Sequence, residues 1–341
     1  MYLLRRGLRT APVAAAVMVL AACGGDEDPA GDPAPVDEEA QDLEDDEEQD
    51  APTPDDEPDE VEDPAADLDV EGLGILTGQA DGSVDDAVAA IEEALSGGEA
   101  ELVFEVDHAQ GAEGAGLELP ATTLLAVDYP EASATLLQEE PLMGLDLPAK
   151  VLIWDAEDMT KVGVNEPPFL AQRYEMDVDL EALSTLDEAQ RETLDAAGIT
   201  GLPAGLNPVG SPQGVEVLDS ADGFEATLER ARTAIEDAGP ELIAEVDHAA
   251  AAAEVDVELA GNTLLVFGNP QVGTQLMTSE RTVAIDLPQK LLIYEADGQT
   301  RVAYNEPEYL EERHLLAGVE EPLTGIGDLL ADLASTATSG G

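Results

Sequence analysis

Residues 286–307 read DLPQKLLIYEADGQTRVAYNEP, and residues 146–167 read DLPAKVLIWDAEDMTKVGVNEP. Each stretch carries two runs rich in β-branched and aromatic residues. Lys150 to Asp155 with Lys161 to Asn165, and Lys290 to Glu295 with Arg301 to Asn305, predict the strands of a hairpin. Asp297-Gly298 supplies the pair that tolerates positive φ in a two-residue turn.

Outward from this hairpin, the same shift aligns Glu101 to Arg173 with Glu241 to Arg313 without gaps. About 30 of some 73 positions are identical, which is an internal duplication. Glu105-Val106-Asp107-His108-Ala109 repeats as Glu245-Val246-Asp247-His248-Ala249, and Asn165-Glu166-Pro167 as Asn305-Glu306-Pro307. Upstream, Val84, Val88, Ile91 and Leu95 stand at helical spacing, with Phe224, Leu228, Ala231 and Ile235 as counterparts. Before each helix lies a short strand candidate, Gly74-Ile75-Leu76 or Val215 to Leu218, and after it a strand ending at His108 or His248. A loop then leads to an apolar strand, Thr123 to Val127 or Thr263 to Phe267. Pro130 or Pro270 starts a short helix, the hairpin follows, and a final helix begins at Pro167 or Pro307. This order predicts an α+β class, each copy an antiparallel sheet with helices on one face.

At these residues the chain resembles the family known as domain of unknown function 302. Copy two carries its pattern in Val246-Asp247-His248, Phe267-Gly268-Asn269-Pro270, Leu287-Pro288 and Tyr304-Asn305-Glu306-Pro307. Copy one departs from it, with Asp128-Tyr129-Pro130 and Val164 in the corresponding places, so copy two is the better site candidate. The resemblance implies two TATA-binding-protein-like curved sheets in tandem. It implies no activity and no catalytic residue.

The composition sets the surroundings. The 341 residues hold 77 acidic and 13 basic side chains, a formal net charge of -64. Residues 24–67 form an acidic Pro- and Ala-rich tract without Lys or Arg, but the rest of the chain is strongly acidic too. A fold so charged repels itself until salt screens it, and at about 1 M the Debye length is roughly 3 Å, which points to a halophile. Without a basic patch after the leader, nucleic acid is excluded as a partner.

Arg5, Arg6 and Arg9 precede the apolar run Ala11 to Ala22, and Leu20-Ala21-Ala22-Cys23 resembles a lipobox. The expected organisation is a lipoprotein signal peptide at 1–22, a disordered acidic tether at 23–68, and repeat domains at 69–205 and 206–341. Cys23, the only cysteine, is the expected lipidation site. Membrane lipid is then one partner, at the outer face of the cell membrane or the periplasmic side.

For chemistry, His108 and His248 occupy equivalent positions, each behind an aspartate, Asp107 or Asp247. An imidazole with a carboxylate could bind metal or move a proton, but one histidine per copy falls short of a zinc ligand set. Lys150 with Lys290, Lys161 with Arg301, and Arg173 with Arg313 are matched cations, read as partners of carboxylates such as Asp146 or Glu166, or of an anionic ligand. Asn165 and Asn305 read as helix caps before Pro167 and Pro307. Phe169 with Tyr309 reads as packing. The possible ligand or metal site is therefore His248, Asp247, Lys290, Asn305 and Glu306, with His108, Asp107, Lys150, Asn165 and Glu166 in copy one. Metal and cofactor remain unnamed.

The function expected from these features is a non-enzymatic, membrane-tethered module that binds a small molecule or an envelope protein, and the duplication lets the repeats pair within one chain. The alternatives are a metal-dependent or redox-accessory enzyme using His248 and His108, and a structural envelope protein.

Overall fold

The computed structural model describes residues 74–177, 180–203 and 214–340; the leader, Cys23 and the acidic tether lie outside them. Copy one runs β1 (Ile75–Ala80), α1 (Val84–Leu95), β2 (Glu101–Asp107), α2 (His108–Gly114), β3 (Thr122–Asp128), α3 (Pro130–Glu139), a 3-10 turn (Pro141–Leu145), β4 (Ala149–Ala156), β5 (Met159–Asn165), α4 (Pro167–Arg173) and α5 (Glu181–Ala196). Copy two repeats this as β6 (Val215–Asp219), α6 (Phe224–Ala238), β7 (Glu241–Asp247), α7 (His248–Glu254), β8 (Asn262–Gly268), α8 (Pro270–Ser279), a 3-10 turn (Arg281–Ile285), β9 (Gln289–Ala296), β10 (Gln299–Asn305), α9 (Pro307–His314) and α10 (Glu320–Thr338).

Each copy forms a five-stranded antiparallel sheet, in the orders β1-β5-β4-β3-β2 and β6-β10-β9-β8-β7. The expected hairpin lies inside each sheet, with Val151 opposite Val164 and Trp154 opposite Lys161. Asp297 and Gly298 take φ of 55° and 74°, as a tight two-residue turn demands.

Strands β3, β4, β8 and β9 are buried at nearly every position, so both faces of each sheet are covered. Helices cover one face: Val84, Ala87, Ile91 and Leu95 of α1 are buried there, after Ser83 and Asp86 close a capping box. The other face meets the opposite copy. Leu145 of the first 3-10 turn packs with Val246, Leu264, Val266, Leu292 and Tyr294 of the second sheet.

Three local expectations need correction. His108 and His248 do not end strands; each is the first residue of a short helix, α2 or α7, where a loop was expected. Asp107 and Asp247 cap those helices by accepting from the Gln110 and Ala250 amides, so the Asp-His pair marks a strand-to-helix switch. The single closing helix is two, α4 with α5 and α9 with α10.

Gly74 and Gly214 sit at equivalent points with φ of +66° and +53°. A Cβ on Gly74 would lie 2.2 Å from the Phe169 ring, and one on Gly214 2.3 Å from Tyr309 Cβ. These glycines seat the two aromatics. Gly214→Ala is therefore expected to destabilise the protein by about 1–3 kcal/mol, read from the urea midpoint at fixed high salt; an unchanged midpoint would show that Tyr309 has room to move.

Candidate functional site

Where the copies meet, two of the three matched cation pairs converge on two aspartates, while Arg301 of the third pairs with Asp219 at the surface. Asp146 Oδ2 accepts from Arg173 Nη1 at 2.7 Å and from the Tyr174 hydroxyl at 2.8 Å. Asp286 Oδ2 is approached by Arg313 Nη1 and His314 Nε2, both at 2.8 Å. Each guanidinium then reaches into the other copy: Arg173 Nη2 donates to Asn305 Oδ1 and Arg313 Nη2 to Asn165 Oδ1, both at 2.7 Å. Each also stacks on the other copy's aromatic, Arg173 at 3.9 Å from the Tyr309 centroid and Arg313 at 4.4 Å from Phe169. Lys150 Nζ donates to the Pro148 and Asp146 carbonyls, and Lys290 Nζ to the Asp286 carbonyl at 3.1 Å.

All of these side chains are buried. Burial alone would raise both aspartates, but Arg173 beside Asp146 and Arg313 beside Asp286 hold each carboxyl below its ordinary value. Burial, then the neighbouring Lys290 ammonium, pushes Lys150 down to about 7, and burial lowers Lys290 as well. The cluster is a closed ionic joint between the copies. The aspartates and arginines meet each other rather than solvent.

The expected site residues thus divide. Lys150, Lys290, Asn165 and Asn305 come together in the joint, and Glu166 is buried at the start of α4. Asn165 and Asn305 are not caps: Glu166 and Glu306 occupy the N-cap positions, while both amide oxygens serve the opposite arginine. A cap and an arginine acceptor share one sequence signature, and only the partner copy separates them. Asp107 and Asp247 are exposed caps, and Glu306 lies at the surface in an acidic cleft with Glu308, Glu311 and Glu320.

His108 and His248 are buried against the other copy's 3-10 turn. His248 Nε2 is 3.2 Å from the Gly144 carbonyl, whereas His108 faces the equivalent Ala284 carbonyl without closing a hydrogen bond at Nε2. Burial lowers both imidazoles to about 4. Among the described residues, no three His, Cys, Asp or Glu side chains are placed to hold a metal ion.

A cavity of about 690 Å³ opens on copy two, on the helix side of its sheet. Its walls include Phe267, Leu287, Pro288, Ile326 and Leu329, with Gln289 and Asn269 as polar members. Asp107, His108 and Gly111 of copy one also border it. In copy one the position of Asn269 is taken by Tyr129, buried against α5, where Thr193 faces its hydroxyl. α5 packs on both α1 and α3, whereas α10 packs chiefly on α6, which leaves space beside α8.

The family described as "Domain of unknown function DUF302" matches residues 76–197 and 216–333. The chain belongs to the DUF302 family. Among curated proteins, "Fluoride-specific ion channel FluC 1" of Brucella suis and of Brucella abortus are each 33% identical over 120 residues, 33% of this chain. The matched region is 47% and 44% of those proteins, so the chain spans less than half of their length. A crystal structure of an uncharacterized conserved DUF302 protein from Bacillus stearothermophilus is similar at 20% identity and a TM-score of 0.35, covering 37% of this chain and 99% of that one.

In these two DUF302 copies, the repeated Asp-Leu-Pro and the repeated arginine already marked Asp146, Asp286, Arg173 and Arg313 as a matched set. Tyr174 and His314 gave no such signal, because they differ between copies while performing one task, and Gln289 stands opposite Ala149 in the alignment. If Asn165 serves Arg313, then Asn165→Ser, a good cap too short to reach, should cost about 1.5–3 kcal/mol in denaturant unfolding. Tolerance of serine would restore the capping role.

The histidines set an acid limit. Their folded pKa of about 4 lies below the unfolded value, so the unfolded chain binds more protons between about 4 and 6.5. Their contribution is complete above about 6.5 and is lost as pH falls toward 4, by about 3 kcal/mol for each. His248→Gln should flatten the stability profile in that window while leaving the profile above pH 7 unchanged in shape.

Proposed function

We propose that this chain is a non-enzymatic, lipid-anchored extracytoplasmic module, adapted to high salt, that binds a small molecule through the cavity on copy two. The observation that carries the reading is the contrast between two buried places. The charged joint is packed against its own partners and excluded from solvent, which suits it to hold two copies together rather than to turn over a substrate. The cavity is open, largely apolar and within the range of about 300–1,000 Å³ usual for ligand sites. Lipidation at Cys23 and an extended acidic tether would hold the paired domains clear of the membrane surface. The acidic composition would keep them soluble where salt screens their charge.

Native mass spectrometry tests this on protein extracted from its own envelope in high salt and exchanged gently. The expected spectrum shows one small molecule per chain, released by denaturation. An unliganded mass, together with a single crosslinked protein neighbour, would replace the small-molecule reading with a protein-partner one.

A further inference from the structure

Resting on that reading, we infer that the cavity on copy two takes one uncharged, ring-sized apolar molecule bearing a hydrogen-bond acceptor, which the Gln289 side-chain amide receives.

Three observations carry this. The first is an orphan donor. Gln289 lines the cavity, is 9% exposed, and its Nε2 is enclosed with no hydrogen-bond acceptor among the described residues. A buried donor left unmet costs about 1–3 kcal/mol, and a turn of the side chain that presents the enclosed amide to an acceptor on a guest would recover that loss. The aligned position in copy one is Ala149, so the donor is particular to the copy that has the cavity.

The second is what copy one places at the matching position. Tyr129 stands where copy two has Asn269, and its phenol is buried beside α5. Burial raises that hydroxyl to about 12, so it stays neutral. The fold therefore accommodates an uncharged ring with one polar atom beside the N-terminus of α3. Copy two has a short amide and an open cavity in the corresponding region, with Val272 and Ile326 lining it.

The third is charge. Among the described residues no lysine or arginine lines the cavity, while exposed Asp107 and Glu321 stand among its lining residues. An anion would meet these carboxylates with no cation to receive it, and a cation drawn to them would lose its hydration against the mostly apolar walls further in. An uncharged guest meets neither opposition.

The test uses the full chain with Cys23→Ser, so that no acyl chain competes for the probe, in high salt. The probe is Nile red, which is uncharged and carries a ring carbonyl; 1-anilinonaphthalene-8-sulfonate is its anionic comparator. Two variants close the cavity. Asn269→Tyr restores the copy-one residue, and Gly325→Trp adds bulk on α10, where a Cβ meets nothing within 4 Å. Gln289→Leu removes the donor at similar volume. The expected result is one Nile red per chain, loss of binding in both closing variants, and affinity about tenfold weaker in Gln289→Leu. The same Gln289→Leu should raise the melting temperature of the free protein, because it deletes an unmet polar group.

Nile red binding that persists in both closing variants would overturn the inference and the cavity reading together. Binding lost on closure but unchanged in Gln289→Leu would overturn the acceptor assignment and leave the cavity reading standing. So would cavity-dependent binding of the sulfonate as tight as that of Nile red, which overturns the uncharged guest. Absence of Nile red binding to the parent chain overturns the guest class, while a different molecule retained in the native spectrum would still uphold the cavity.

Discussion

The exchange of two arginines between the copies is the constraint on which the rest of the structure depends. Each guanidinium is neutralised by its own copy's aspartate but completed by the opposite copy's asparagine and aromatic ring. Each copy thus takes one hydrogen bond and one ring contact for its buried cation from the other. Ion pairs of this kind are poor sources of net stability, because desolvation offsets attraction, but removing one partner leaves an uncompensated charge at a cost of about 3–5 kcal/mol. Their value here is selection of one docking geometry. The positive-φ glycines and the lysines held by loop carbonyls serve the same joint, by seating the aromatics and by occupying the oxygens around the aspartates.

The joint also explains how so acidic a chain can be held together. Surface carboxylates repel one another until salt screens them, whereas groups buried between the sheets lie beyond the reach of mobile ions. The two electrostatic regimes are separated in space, with a large excess of negative charge outside and paired charge inside.

Much of this was legible in the residues. The duplication, the hairpin with its Asp297-Gly298 turn, the α1 periodicity and the α+β class follow from local pattern. The continuous apolar runs of β3 and β4 fit cover on both faces, although only the helices on one face were expected. What escaped was whatever depends on the second copy. Asn165 and Asn305 looked like caps because the arginine each serves is roughly a copy away in sequence, and His108 looked like a strand end because β2 passes into α2 at an aspartate that is itself a good cap. The cavity could not be read from composition, since it arises from the different seating of two helices, α5 and α10, of similar character.

The difference between Tyr129 and Asn269 has a consequence for the history of such chains. In a symmetric homodimer every substitution appears twice, so a tyrosine that fills one gap fills both, and a cavity cannot open on one side only. Joining the halves in one polypeptide frees each position from its mirror image. One half can then keep a filled, rigid interior as the brace, while the other gives up packing for an opening. Covalent fusion is what permits the asymmetry: symmetry is retained at the joint, which both halves share, and abandoned at the cavity, which only one has.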